Sequence, residues 1–178
     1  MQLDLSQFRE ARARFDRTYP ASAFPTTEED AYRVDAPVRL SFDLFKDGHQ
    51  FHLVGRVEAT LGLSCGRCLE SYALRVDAAF DLLYLPHTTN VGEGEVEVED
   101  DDLTTAFYHE EEIDLGQLVR EQFYLALPMK PLCRESCRGL CPECGTNLNT
   151  EPCNCVQHWT DPRWKGLRSL LDNGDRKD

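Results

Sequence analysis

The chain has 178 residues, of which 41% are hydrophobic and 29% charged, with nine Phe, six Tyr and two Trp. That balance excludes a disordered chain and suits one main domain with a small appendage. No apolar run reaches the roughly 18 residues of a membrane span, and Asp4, Glu10 and Asp16 interrupt the start where a signal peptide would be apolar, so a cytoplasmic protein is expected. The net charge of −13 argues against broad attraction to nucleic acid, but it is concentrated: Glu93 to Asp114 holds eleven acidic residues and no Lys or Arg, and the remainder carries only −2.

In chain order, Leu3 and Leu5 alternate with polar residues and predict a short strand. Phe8, Ala11, Phe15 and Tyr19 follow at helical spacing, with Arg9, Arg12, Arg14 and Arg17 among them, and predict a basic helix of about three turns. After Pro20 and Pro25 the period becomes two. Val34, Val38, Leu40, Phe42 and Leu44, a turn at Lys46-Asp47-Gly48-His49, and Phe51, Leu53, Val57, Leu61 and Leu63 predict a hairpin of long strands. Gly55 and Gly62 inside the second strand suggest bulges or bends, as curved sheets use. A third strand runs from Tyr72 to Leu85, with Cys65 and Cys68 at the hairpin tip between.

The stretch of about 87–112 reads as a flexible acidic segment, with only Val96 and Val98 hinting at an edge strand. Ile113, Leu115, Leu118, Val119, Gln122, Phe123, Leu125 and Ala126 predict an amphipathic helix that Asp114 caps and Pro128 stops. The expected fold class is α+β: a curved antiparallel sheet of long hairpin strands, flanking helices, and a C-terminal cysteine-rich zinc module. The expected domains are 1–127, the main α+β unit, and 128–178, the zinc-binding segment.

That last segment is where the chemistry concentrates. In the cytoplasm thiols stay reduced, so eight cysteines in close pairs indicate metal ligands before disulfides. Cys141-Pro142-Glu143-Cys144-Gly145 has zinc-knuckle spacing, with two residues between thiolates and a glycine able to take positive φ beyond the second. Zn2+ takes four ligands, so the metal candidates are Cys133, Cys137, Cys141, Cys144, Cys153 and Cys155. The knuckle could be closed from upstream by Cys133 and Cys137 or from downstream by Cys153 and Cys155. One zinc per chain is the favoured expectation, and two sites, with Cys65 and Cys68 meeting a surplus pair, the alternative.

So few apolar residues accompany these thiols that a structural metal fits better than a catalytic one. His49, His52, His87, His109 and His158 lack the spacing of metallohydrolase motifs, and no nucleophile–base pattern appears, so no catalytic residue is assigned. A zinc-dependent enzyme acting on RNA, or a thiol redox protein, is the competing reading. Arg134 and Arg138 beside the knuckle, and Trp159 and Trp164 among Arg163, Lys165 and Arg168, are the candidate RNA contacts.

Cys133 to Cys155 followed by Asp161-Pro162-Arg163, Leu167, Leu170 and Leu171, together with Cys65-Gly66-Arg67-Cys68-Leu69-Glu70 and the segment from Ile113 to Pro128, resembles the YceD family. The resemblance implies a non-enzymatic role in accumulation of large-subunit ribosomal RNA through ribosome assembly or RNA processing. By that resemblance the partners are large-subunit ribosomal RNA, a basic ribosomal protein, or both. It supplies no catalytic residue. The acidic stretch from Glu93 to Asp102 departs from the family pattern.

Overall fold

The computed structural model describes residues 1–8, 10–27, 29–86 and 104–155. Eight strands and one α-helix form there: β1 (Gln2–Asp4), β2 (Arg12–Tyr19), β3 (Arg33–Val34), β4 (Val38–Asp47), β5 (Gln50–Ser64), β6 (Ser71–Pro86), β7 (Thr105–Tyr108), β8 (Glu112–Asp114) and α1 (Leu115–Ala126). An open sheet carries the order β2-β4-β5-β6-β7, with β3 pairing the far end of β5; β1 and β8 make a separate two-stranded ribbon.

The long hairpins follow from alternation. On β4 and β5 the residues Val38, Leu40, Phe42, Leu44, Leu53, Val57 and Leu61 are buried, and their neighbours point outward. Asp47 pairs with Gln50 across a loop in which Gly48 has φ 58°, so the expected turn is present. On the outer face, cross-strand ion pairs run Arg12–Asp43, Arg39–Asp16 and Arg56–Asp77. Exposed pairs of this kind contribute little energy but spend most of the face's charge internally.

The inner face is covered by α1 and the β1–β8 ribbon. Asp114 accepts from the amides of Gly116 and Gln117, capping α1 as expected. The helix buries Leu115, Leu118, Val119 and Phe123, and Phe24 and Tyr32 meet the Phe123 ring edge-on. Pairing of Leu3 with Ile113 ties the N-terminus to the start of the helix.

Several expectations are corrected. The helix expected through Phe8, Ala11, Phe15 and Tyr19 is instead strand β2. The same residues also fit period two, and β4 decides between the readings: Phe15 stacks on Phe42 at 4.9 Å between centroids while Arg12 and Asp16 find partners on the outer face. Flanking helices are therefore reduced, among the described residues, to α1 and one 3-10 turn at Ala21–Ala23. The sheet is mixed, because β7 lies parallel to β6.

Gly55 and Gly62 do not mark bulges; both ladders of β5 keep an unbroken register. A Cβ at Gly55 would collide with the Ser41 carbonyl, with Phe42 Cβ at 2.5 Å and with the Phe80 ring at 2.7 Å, so glycine is needed there for close packing. Within the acidic segment Thr105–Tyr108 forms β7, and Tyr108 donates to the His49 carbonyl at 3.0 Å. The Val96–Val98 strand, Arg9, His87, His158, the two tryptophans and the segment from Asp161 to Leu171 lie outside the described residues.

Candidate metal centres

The eight cysteines form two sets of four. Cys65, Cys68, Cys133 and Cys137 converge in one place and Cys141, Cys144, Cys153 and Cys155 in another, with the sulfurs of each set all within 4.8 Å of one another. None is in a disulfide. In the first set Cys65 Sγ lies 3.8 Å from Cys137 Sγ, and Cys68 Sγ lies 3.8 Å from Cys133 Sγ. A tetrahedral zinc with sulfurs at about 2.3 Å requires edges of about 3.8 Å, so the spacing is that of a site able to hold such an ion.

Hairpin geometry presents the first pair. The amide of Cys65 donates to the Glu70 carbonyl and that of Leu69 to the Cys65 carbonyl, both at 2.9 Å, folding the tip into a tight loop with Leu69 at φ 62°. The C-terminal segment docks on that loop through main-chain bonds: Gly66 donates to Pro131 at 2.8 Å and Leu140 to Arg67 at 3.1 Å. Arg67 returns the contact by donating to the Cys137 carbonyl at 2.9 Å. Cys65, Cys68 and Cys137 are buried, and Leu132, Leu140 and Tyr72 pack around them.

Local turns build the second set. The amide of Gly145 donates to the Cys141 carbonyl at 2.9 Å and that of Cys141 to the Thr146 carbonyl at 2.8 Å, closing the knuckle with Gly145 at φ 74°. A bridge between Leu140 and Asn147 sits beneath it. Cys141 is buried, whereas Cys144 and Cys155 are exposed. Asn149 links the two regions: its Oδ1 accepts from Arg134 and from the Arg138 amide at 2.9 Å, while its Nδ2 donates to Cys137 Sγ at 3.3 Å.

The thiols show how a cation would be received. Amides of Cys133, Arg67 and Cys68 lower the pKa of Cys65 to about 6, and hydrogen bonds from Thr146 do the same for Cys144. Four crowded sulfurs cannot all ionise unaided. Burial and then the neighbouring thiols raise Cys133 to about 12, and Cys144 followed by burial raises Cys155 to about 12. A divalent cation at the centre reverses that penalty, which is the electrostatic demand of a metal site.

All six sequence candidates thus fall in the two clusters, divided between them. Cys153 and Cys155 close the knuckle, whereas Cys133 and Cys137 face away to Cys65 and Cys68, the pair outside the candidate set. The available signal was numerical: eight thiols divide into two fours, and the Cys65–Cys68 spacing repeats that of Cys141–Cys144. Among the described residues no histidine joins either cluster; His52 pairs with Asp81 at 2.5 Å on the outer sheet face. Arg134 and Arg67 are engaged within the C-terminal packing.

Comparison with known proteins agrees with the sequence resemblance. The chain is 26% identical over 174 residues to the chloroplastic large ribosomal RNA subunit accumulation protein YCED homolog 1 of Arabidopsis thaliana, covering 86% of this chain and 54% of that protein. It is 34% identical over 119 residues to an uncharacterized protein of Mycobacterium tuberculosis, covering 67% and 55% respectively. YlbN of Bacillus subtilis is 24% identical over 172 residues, 96% of this chain and 95% of its own length. The chain spans about half the length of the first two relatives. No solved structure matches. Residues 53–171, which include all eight cysteines, match the family profile described as large ribosomal RNA subunit accumulation protein YceD, and the chain belongs to the YceD family.

Proposed function

We propose that this protein is a non-enzymatic factor that supports accumulation of large-subunit ribosomal RNA during ribosome assembly, by holding RNA, a basic ribosomal protein, or both. The observation that carries the reading is the pair of four-thiol clusters in a chain of the YceD family. Each would bind Zn2+ with four protein sulfurs, leaving no position for a reacting water, so the metal serves architecture. The first cluster fastens the segment that carries Cys133 and Cys137 to the β5–β6 tip of the main unit, and the second folds the knuckle itself. Structural zinc contributes roughly 10 to 16 kcal/mol in small modules, more than their apolar contacts supply.

A cytoplasmic setting fits reduced, metal-bound thiols. Among the described residues no helix is long and apolar enough to cross a membrane. The test is genetic complementation: cells lacking the protein should regain mature large-subunit ribosomal RNA when supplied with the wild-type chain but not with Cys65→Ser. Full rescue by a chain with all eight cysteines replaced would remove the metal from the function.

A further inference from the structure

Strand β2 closes one side of the open sheet, and no strand among the described residues pairs with its free edge. Its eight residues, Arg12 to Tyr19, make a long edge, of the kind that recruits another strand unless something blunts it. One bond fixes the direction of its main-chain groups: Ala11 accepts from the Lys46 amide at 3.0 Å, continuing the ladder in which Arg12 faces Phe45. Hydrogen-bonded pairs alternate in an antiparallel ladder, so Ala13, Phe15, Arg17 and Tyr19 turn their main-chain groups to β4. Arg12, Arg14, Asp16 and Thr18 turn theirs away from the sheet, and all four residues are exposed.

Side chains along this edge select what can add to it. Arg12 and Asp16 are engaged with Asp43 and Arg39, whereas Arg14 forms no ion pair among the described residues. A second β2 running antiparallel could meet the free main-chain groups in more than one register. Centred on Arg14 it sets that residue against its own copy, and centred on Asp16 it does the same with two carboxylates; both are like-charge contacts. Centred on Phe15, it sets Arg14 opposite Asp16 of the second copy, and the same pair recurs across the axis. Phe15, half-buried between Phe8 at 5.5 Å and Phe42, then faces its own copy in a non-hydrogen-bonded pair, where side chains approach most closely.

We propose that this chain forms a two-fold dimer by antiparallel pairing of β2 with β2 of a second copy, in the register centred on Phe15, so that two open sheets become one. Main-chain bonds supply the attachment, and the two Arg14–Asp16 contacts choose the register more than they add affinity. The surface is self-complementary, as a two-fold interface requires. Tyr19 lies opposite Val38, and Arg39 opposite Glu58 on the way to the end of β5 at Ser64, so antiparallel pairing carries the two cysteine-bearing tips to opposite ends of the joined sheet. The net charge of −13 opposes association, but about 0.15 M salt shortens its reach to about 8 Å while contacts between facing side chains persist. Neither a bound metal nor an RNA partner is needed for this pairing.

Sedimentation velocity of the full chain at that salt should find a dimer, and hydrogen exchange at the Arg12, Arg14, Asp16 and Thr18 amides should slow as concentration rises. Arg14→Asp, which removes no ion pair within the chain, and Asp16→Arg should each weaken the dimer roughly tenfold or more, since each sets like charges opposite one another. Mixing the two variants should restore association as a heterodimer, because one chain then brings two acids to the axis and the other two bases. Amides of Phe15 and Arg17, bonded to β4, should stay protected throughout and report that both variants remain folded. A wild-type chain that is monomeric up to its solubility limit would overturn the dimer, and so would a dimer that persists unweakened in Arg14→Asp. Two folded, monomeric variants that fail to associate when mixed would overturn the register and the interface with it.

Discussion

The two cysteine clusters carry identical ligands and are built in opposite ways. The first joins partners 72 and 65 positions apart, Cys65 to Cys137 and Cys68 to Cys133, and is buried against Tyr72 and Leu132. The second draws all four thiols from Cys141 to Cys155 and leaves Cys144 and Cys155 exposed. A metal in the first closes a long loop and binds two regions together, whereas one in the second orders a short turn. Ligand chemistry sets what can bind; the chain path around it sets what binding accomplishes and how readily the ion exchanges.

The largest effect should come from breaking the long-range cluster. Cys65→Ser is expected to cost several kcal/mol, release one metal, and expose the amides of Gly66 and Leu140 to hydrogen exchange, since both donate across the joint. Amides of the β4–β5 ladder should stay protected; their loss would mean that the joint and the sheet fold as one unit. Cys144→Ser should also release one metal at a smaller loss of stability. Here the Cys141 and Gly145 amides should exchange faster while that of Gly66 does not, and deprotection of Gly66 would show that the clusters are not independent.

Exposure predicts the order of metal loss. A chelator added to the loaded chain should drain one equivalent quickly, by way of Cys144 and Cys155, and the second slowly; a single phase would erase the distinction. Acid should separate the clusters less, because Cys65 and Cys144 both lie at about 6. Protons compete with the ion for all four thiolates of each cluster, so acid should release metal from both.

The smallest expected difference compares two glycines with the same φ of 74°, Gly139 and Gly145. An added Cβ meets only open space at Gly145 but lies 3.1 Å from the Arg67 carbonyl at Gly139. Gly145→Ala should cost about 1 kcal/mol from the left-handed backbone alone, and Gly139→Ala measurably more because it also pushes on the joint. Equal losses in thermal unfolding would show that the Arg67 contact yields freely.

Legibility in the sequence followed the same division between local and distant. The strands of β4, β5 and β6, the Asp114 cap and the Gly145 knuckle are each set by neighbours a few residues away, and all could be read. Strand β2 could not, because its aromatic residues fit two periods and only Phe42 and Asp43 on β4 choose between them. Strands β7 and β8 have four and three residues, too few to show a period, and exist through pairing with β6 and β1. For the same reason the membership of Cys65 and Cys68 was written only in the arithmetic of eight thiols, since their partners are brought to them by the fold.

Metal stoichiometry tests the account most directly. The intact protein, purified under reducing conditions without chelator, should contain two zinc ions per chain, one for each set of four sulfurs, and X-ray absorption should find sulfur ligands alone at about 2.3 Å. A single zinc per chain, or sites containing nitrogen or oxygen ligands, would contradict it.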